Sequence, residues 1–234
     1  FFFNPLMILE FSGNLHFEIF TLLGLLTAIY YFNKNELLSS IGLGTAIATK
    51  LMPAIFLPIF FLRSQKKWIW IVTPLLVFII SYLPFHDTYA FKNILSSVQL
   101  YFGKFEFNSS FYFLIGDQYK WILKLILISS AGIIYWAVGK NKLTISKAIN
   151  YLFFIYLLMS QSIHPWYMLG FWGIIEIKKA PELVVWSFLI FLTYITYITT
   201  PYQQQGWVNL IEYSTFISVL IWRLLSTKQK IWSP

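Results

Sequence analysis

A chain of 234 residues that is 58% hydrophobic, 21% aromatic and only 11% charged does not make a water-soluble domain, in which charged residues supply about a quarter of the composition. Its formal charge of +8 does not mark a nucleic-acid binder either, because the cations fall in short clusters between apolar runs, as topology-setting loops do. Long continuous stretches of Leu, Ile and Phe, with a mean hydropathy of +0.68, argue against the short alternating segments of a β-barrel. They predict an all-α, polytopic transmembrane helix bundle.

In chain order, the opening FFF has neither an initiator methionine nor the basic start of a signal peptide, so the 234 residues read as one transmembrane domain from the C-terminal portion of a longer chain. Gly13 and Asn14 break the first apolar stretch, leaving residues 1–12 as a helix end or interfacial segment. Residues 17–32 then form a membrane helix of about 24 Å. After the polar turn 33–36, residues 37–62 are too long for one straight span and too short for two. With Lys50, Pro53 and Pro58 inside, they predict a broken or re-entrant helix pair, since proline removes a donor and clashes with the preceding turn.

A span over 68–83 ends at Pro84. One long external loop, 84–120, carries His86, Asp87, Lys92, Lys104, Glu106, Asn108 and Asp117, with an amphipathic helix expected over 91–102. Further helices are predicted over 121–138, 148–163, 166–177, 183–200 and 210–225, the loop 201–209 lying between the last two and a basic tail following. Placing the turns 33–36, 63–67, 139–147, 178–182 and everything from Arg223 onward on one side collects twelve of the seventeen cations there, and the positive-inside rule makes that side cytoplasmic. All three histidines (His16, His86, His164) and six of the nine acids then fall on the other side. Cysteine is absent, which removes disulfides and thiolate metal sites.

The stretch NPLMILEFSGNLHFE (4–18), the re-entrant IGLGTAIATKLMPAIFLPIFF (41–61), FEFNSSFYFLIG (105–116) and QSIHPWYMLGF (161–171), spaced by the expected spans, resemble the GT-C-type membrane glycosyltransferases. Within that class the bacterial polyprenyl-phosphate-mannose-dependent mannosyltransferases are most similar. The resemblance implies a hexosyltransferase of the bacterial inner membrane, its site facing outward. It would take mannose or another hexose from a polyprenyl-phosphate donor to a lipid-linked or other glycan acceptor. The partners implied are those two substrates and membrane lipids, with no nucleic acid. It also implies a catalytic acid in an external loop upstream of Phe1, so the catalytic residue within this chain is unknown and Asp87, beside His86, is a weak stand-in base. A non-enzymatic lipid or solute carrier is the alternative; it would spread polar residues through the bundle rather than gather them at one face.

The substrate-binding candidates are read beside their plainer alternatives. Glu10, His16 and Glu18 form a polar wall for sugar hydroxyls, or else anchor the helix among headgroups. A helix running from His16 turns Glu18 away, so the three converge only if Gly13 folds the backbone. Lys50 is placed to hold the donor phosphate, or else pairs internally with an acid such as Glu10 or snorkels along the break. His164 is a donor to a hydroxyl or phosphate, and Trp166 and Tyr167 offer aromatic faces to a pyranose, or else belong to the interfacial aromatic belt. Asn108 and Glu106 line an acceptor path. No metal site stands out, although a carboxylate pair could hold a divalent cation on the donor phosphate.

Overall fold

The first apolar runs fold into a tight helical hairpin because small residues face each other across it. In a computed structural model that describes residues 5–87, 89–103, 105–109, 111–112, 114–170, 180–198 and 205–232, the opening helix α1 (Pro5–Gly13) meets α2 (Glu18–Tyr31) at 113°. Leu15 makes the corner. Its φ of 53° lies in the left-handed region, which costs a non-glycine residue roughly 1–2 kcal/mol, and it returns the His16 N–H to the Glu10 carbonyl at 3.0 Å.

Asn35 caps the start of α3 (Glu36–Thr49), its side chain accepting from the Leu38 N–H at 3.1 Å. Helices α2 and α3 then cross in near-contact. A Cβ on Gly24 would lie 2.6 Å from the Gly42 carbonyl oxygen, and one on Gly42 would lie 2.8 Å from that of Gly24. Ala28 and Ala46 continue each glycine stripe one turn on, the small-residue spacing by which apolar helices pack closely where water does not drive them together. The Ser39 hydroxyl spans the crossing to the Ala28 carbonyl at 2.5 Å.

The expected break is present. Lys50 adopts an extended conformation after α3, a 3-10 turn follows over Met52–Phe56 with Pro53 near its start, and α4 (Leu57–Arg63) runs back. Segment 36–64 returns to the end it left: Ser64 donates to the Glu36 carboxylate, and the Trp70 indole N–H reaches the same oxygen at 3.1 Å. Arg63 donates to Asn141 of the turn after α7, bringing the 139–147 turn to that end as well. Lys50 therefore stands at the far point of a re-entrant loop, about 21 Å from Glu36 by helical rise.

Helix α5 (Lys67–Tyr82) packs Pro74 against Gly44 of α3, and the amphipathic α6 (Ala90–Gly103) follows. Then come α7 (Lys120–Gly139) and α8 (Ile145–Leu158). Helix α8 stops five residues earlier than 148–163 predicts. The chain there leaves the helix so that Ser162 can bridge Phe107, the Phe107 N–H bonding the Gln161 carbonyl and the Ile163 N–H bonding the Phe107 carbonyl. A 3-10 turn over Pro165–Met168 begins the next expected helix, whose positions 171–177 lie outside the described residues. Helix α9 (Pro181–Leu189) continues as a 3-10 helix to Ile198, and α10 (Gly206–Trp232) overruns its expected end. Lys104, Lys178, Lys179, the first four residues, Thr200 and the loop 201–204 also lie outside the described residues.

The core joins these helices through large rings. Trp70 is fully buried and stacks on Phe60 at 4.8 Å, and Trp186 is likewise buried against Phe216. The outward faces are as apolar as the inner ones, with Ile71, Leu75 and Ile80 of α5, Ile128 and Ile133 of α7, and Ile221 and Trp222 of α10 exposed. Lipid, not water, is the solvent such faces suit. Four described helices are long and apolar enough to cross a membrane, five if α1 and α2 count as one bent span. The architecture is an all-α membrane bundle.

Substituting Gly42 by leucine is expected to force α2 and α3 apart and to cost about 1–3 kcal/mol or more, seen as a lower unfolding midpoint in a denaturing-detergent titration. Gly132→Ala, where a Cβ meets nothing within 4 Å, should leave that midpoint unchanged or raise it slightly.

Candidate functional site at the rim of the bundle

The α2–α3 register decides which residues meet at the open end. With Gly24 opposite Gly42 and the helices antiparallel, the first residue of α2, Glu18, falls beside the first residue after α3, Lys50. Lys50 Nζ donates to Glu18 Oε1 at 2.6 Å and also rests 3.6 Å above the Tyr167 ring. The internal partner of Lys50 is thus Glu18, not Glu10.

The corner at Leu15 adds the other half. His16 Nε2 lies 3.3 Å from Glu10 Oε2, and His16 Nδ1 lies 4.0 Å from Glu18 Oε2. The condition for convergence is met, since the backbone folds by 113° after Gly13: Glu10, His16, Glu18 and Lys50 form one row of alternating acids and bases. Within it the roles differ by access. Glu10 is sealed from solvent, one oxygen taken by the Tyr194 hydroxyl and the other by Asn14 Nδ2 at 3.1 Å and by His16. It therefore meets the opening only through His16. The side chains of His16 and Lys50 are each 29% exposed and that of Glu18 is 13% exposed, so these three form the accessible edge.

Beneath the row lies a column of flat rings. His16 stacks on Trp166 at 4.0 Å, Trp166 on His164 at 4.3 Å, and His164 on Phe107 at 4.4 Å. Both faces of Trp166 and both faces of His164 are covered, so neither ring presents a free face to a pyranose. Tyr167 carries the Lys50 ammonium on its face instead. His16 is the open end of the column. Burial, with the Lys50 and His16 charges adding to it, holds the His164 ring at about 3 against an ordinary 6.5, and its Nδ1 has no hydrogen-bond partner among the described residues.

A cavity of about 30 Å³, room for one or two waters, opens below Glu18 and Lys50. Thr21, whose buried hydroxyl has no partner among the described residues, lines it, and its inner wall is apolar, with Leu25, Phe56 and Phe153. Gly170 borders it, where a Cβ would lie 2.4 Å from the Phe153 ring.

The remaining candidates lie elsewhere. Asn108, in the left-handed conformation at φ 48°, is buried in a second polar cluster and donates to Glu212 Oε1 at 3.0 Å. Trp186 Nε1 reaches the same oxygen at 2.6 Å, and the Tyr213 hydroxyl donates to the Asn108 carbonyl at 2.7 Å. Asn108 touches the site only through its neighbour Phe107, at the base of the ring column. Asp87 is exposed and accepts from the Tyr89 N–H at 2.8 Å, as a loop aspartate does. Glu106 pairs with Lys120, which Asp117 also holds at 2.6 Å. Among the described residues no group of three or more His, Cys, Asp or Glu is placed to hold a metal ion.

Tyr194 and Thr21 escape sequence reasoning, because a tyrosine or threonine inside an apolar run looks the same whether it faces lipid or a carboxylate. The small-residue stripes Gly24–Ala28 and Gly42–Ala46 are the readable signal for the Glu18–Lys50 meeting. No protein-family model, no curated protein and no solved structure matches the chain.

The depressed value of His164 carries a pH dependence. Between about 3 and 6.5 the unfolded chain binds the proton that the folded ring refuses. The stability contributed by the neutral ring is therefore complete above about pH 6.5 and is lost as pH falls toward 3. Melting midpoints in neutral detergent should drop on acidification from pH 7.5 to 4.5, and His164→Phe, which keeps a stackable ring, should shrink that drop. An equally steep drop in the variant would assign the acid sensitivity to other groups.

Proposed function

We propose that the protein transfers a hexose, mannose first among candidates, from a polyprenyl-phosphate donor to a lipid-linked or other glycan acceptor at the non-cytoplasmic face of a bacterial inner membrane. One observation carries this reading. A partly exposed cation and imidazole, with a more deeply set carboxylate between them, stand in a row at the end of the bundle away from the cationic turns, over a small apolar-walled cavity in the helices. A lipid-borne phosphosugar needs a positive group at the phosphate and hydrogen-bonding groups at the sugar, and the exposed apolar helix faces offer a surface for the prenyl chain.

The chemistry follows from access. Lys50 exchanges part of its Glu18 bond for the donor phosphate and offsets the charge that grows there as the bond from the anomeric carbon to the phosphate oxygen breaks. The electron pair of that bond leaves with polyprenyl phosphate. Glu18 Oε2 accepts from a sugar hydroxyl. His16, its Nε2–H directed to Glu10, keeps a lone pair on Nδ1 that takes the proton of the acceptor hydroxyl while its oxygen bonds the anomeric carbon. Glu10 is a positioning residue, holding the imidazole in that tautomer. A divalent cation, if bound, would be held by Glu18 and would offset charge on the donor phosphate; no step depends on it.

Transfer from radiolabelled polyprenyl-phosphate mannose by the full chain in proteoliposomes is the test. Lys50→Ala should lower kcat by about 10²–10³-fold. His16→Gln should lower it by about 10²–10⁴-fold with KM for the donor little changed, and Glu10→Gln should shift the pH–rate profile as well as the rate. Rates unchanged in Lys50→Ala and His16→Gln would reject these roles. A wild-type chain inert toward every polyprenyl-phosphate hexose, with and without divalent cations, would reject the reading itself.

A further inference from the structure

The opposite end of the bundle holds a larger cavity, which takes no part in that chemistry. Two tight polar turns face each other there, 33–35 between α2 and α3 and 64–66 between α4 and α5, and enclose about 610 Å³. That volume falls in the range of small-molecule sites. Lys34 lines it from the first turn, and Arg63 and Lys66 from the end of α4 and the turn that follows, together with Asn33, Asn35 and Gln65.

The single acid in the wall is already engaged. Glu36 receives the Ser64 hydroxyl and the Trp70 indole N–H. Partial burial pushes its carboxyl upward, but those bonds and the backbone N–H groups of Gln65 and Lys66 outweigh it and hold Glu36 below the usual carboxylate range. Its carboxylate is thus taken up by neutral donors rather than by any of the three side-chain cations. None of those cations is ion-paired among the described residues: Lys34 rests on the Tyr30 ring at 3.4 Å and Arg63 donates to the Asn141 amide. Three cations that no carboxylate pairs among the described residues converge on one cavity, and such a site calls for an anion.

We infer that this cavity binds the phosphate headgroup of an anionic phospholipid. A lipid suits it better than a soluble anion because exposed apolar and aromatic side chains adjoin the cations. Leu37 lies in the wall, and Tyr30 and Trp68 stand exposed beside Lys34 and Lys66 respectively. Acyl chains would lie along those residues while the phosphate meets the lysines and the glycerol meets the asparagine amides. Basic pockets between membrane helices recognise lipid headgroups in this manner.

The test needs no activity. Purified full chain in neutral detergent is titrated with phosphatidylglycerol, phosphatidylcholine or inorganic phosphate, and binding is read by native mass spectrometry and by the melting midpoint. Phosphatidylglycerol should bind and raise the midpoint, whereas phosphatidylcholine and inorganic phosphate should not. The double variant Lys34→Gln/Lys66→Gln should weaken phosphatidylglycerol binding by roughly 30-fold, the loss of two charge contacts. Lys142→Gln, at the same end but outside the cavity, should leave it unchanged. Equal losses in both variants would mean diffuse surface charge and would overturn the proposal. So would equal binding of the two lipids, or stabilisation by inorganic phosphate alone.

Discussion

The close crossing of α2 and α3 is the constraint on which the rest of the molecule depends. Helices without side chains at the contact approach until backbone meets backbone, and in an apolar medium that contact substitutes for the missing hydrophobic drive. Gly24 and Gly42 are so near each other's carbonyls that no other register is open to the pair. Register converts to chemistry at the helix ends: it brings Glu18 level with Lys50, and the extended residue and proline that follow turn the chain back before Lys50 would leave the bundle.

A second constraint is that polar groups inside such a bundle must find partners among themselves. Glu10 gathers Tyr194, Asn14 and His16, Glu212 gathers Asn108 and Trp186, and Glu182 takes Arg223 at 2.9 Å. Each of the three acids reaches at least one partner on a segment far from it in sequence. The buried acids therefore serve as fixed points between helices whose apolar faces alone would slide over one another.

Much of this architecture could be read from the residue pattern. Proline spacing and the length of 37–62 announced the re-entrant pair, and the amphipathic run after Pro84 announced α6. The crowding of His16, Glu18, Lys50 and the HPWY stretch toward one end also emerged from counting charges between spans. What escaped was set by rotation about helix axes and by ring-on-ring contact, which no local pattern encodes. Which way Glu18 faces depends on the fold of the backbone before it, and Leu15 in a left-handed conformation supplies that fold just past Gly13. Trp166 seemed a sugar platform because one cannot see from HPWY that two imidazoles cover it. Asn108 seemed part of the same rim, yet its carboxamide turns the other way, to Glu212.

The column of His16, Trp166, His164 and Phe107 draws on three separate stretches of chain. Its lower end is stitched by two main-chain hydrogen bonds between Phe107 and the 161–163 segment. The polar stretch after α6 is accordingly moored rather than hinged, a parapet and not a door. The acid–base row is left open on the flank beside His16, where the stack stops.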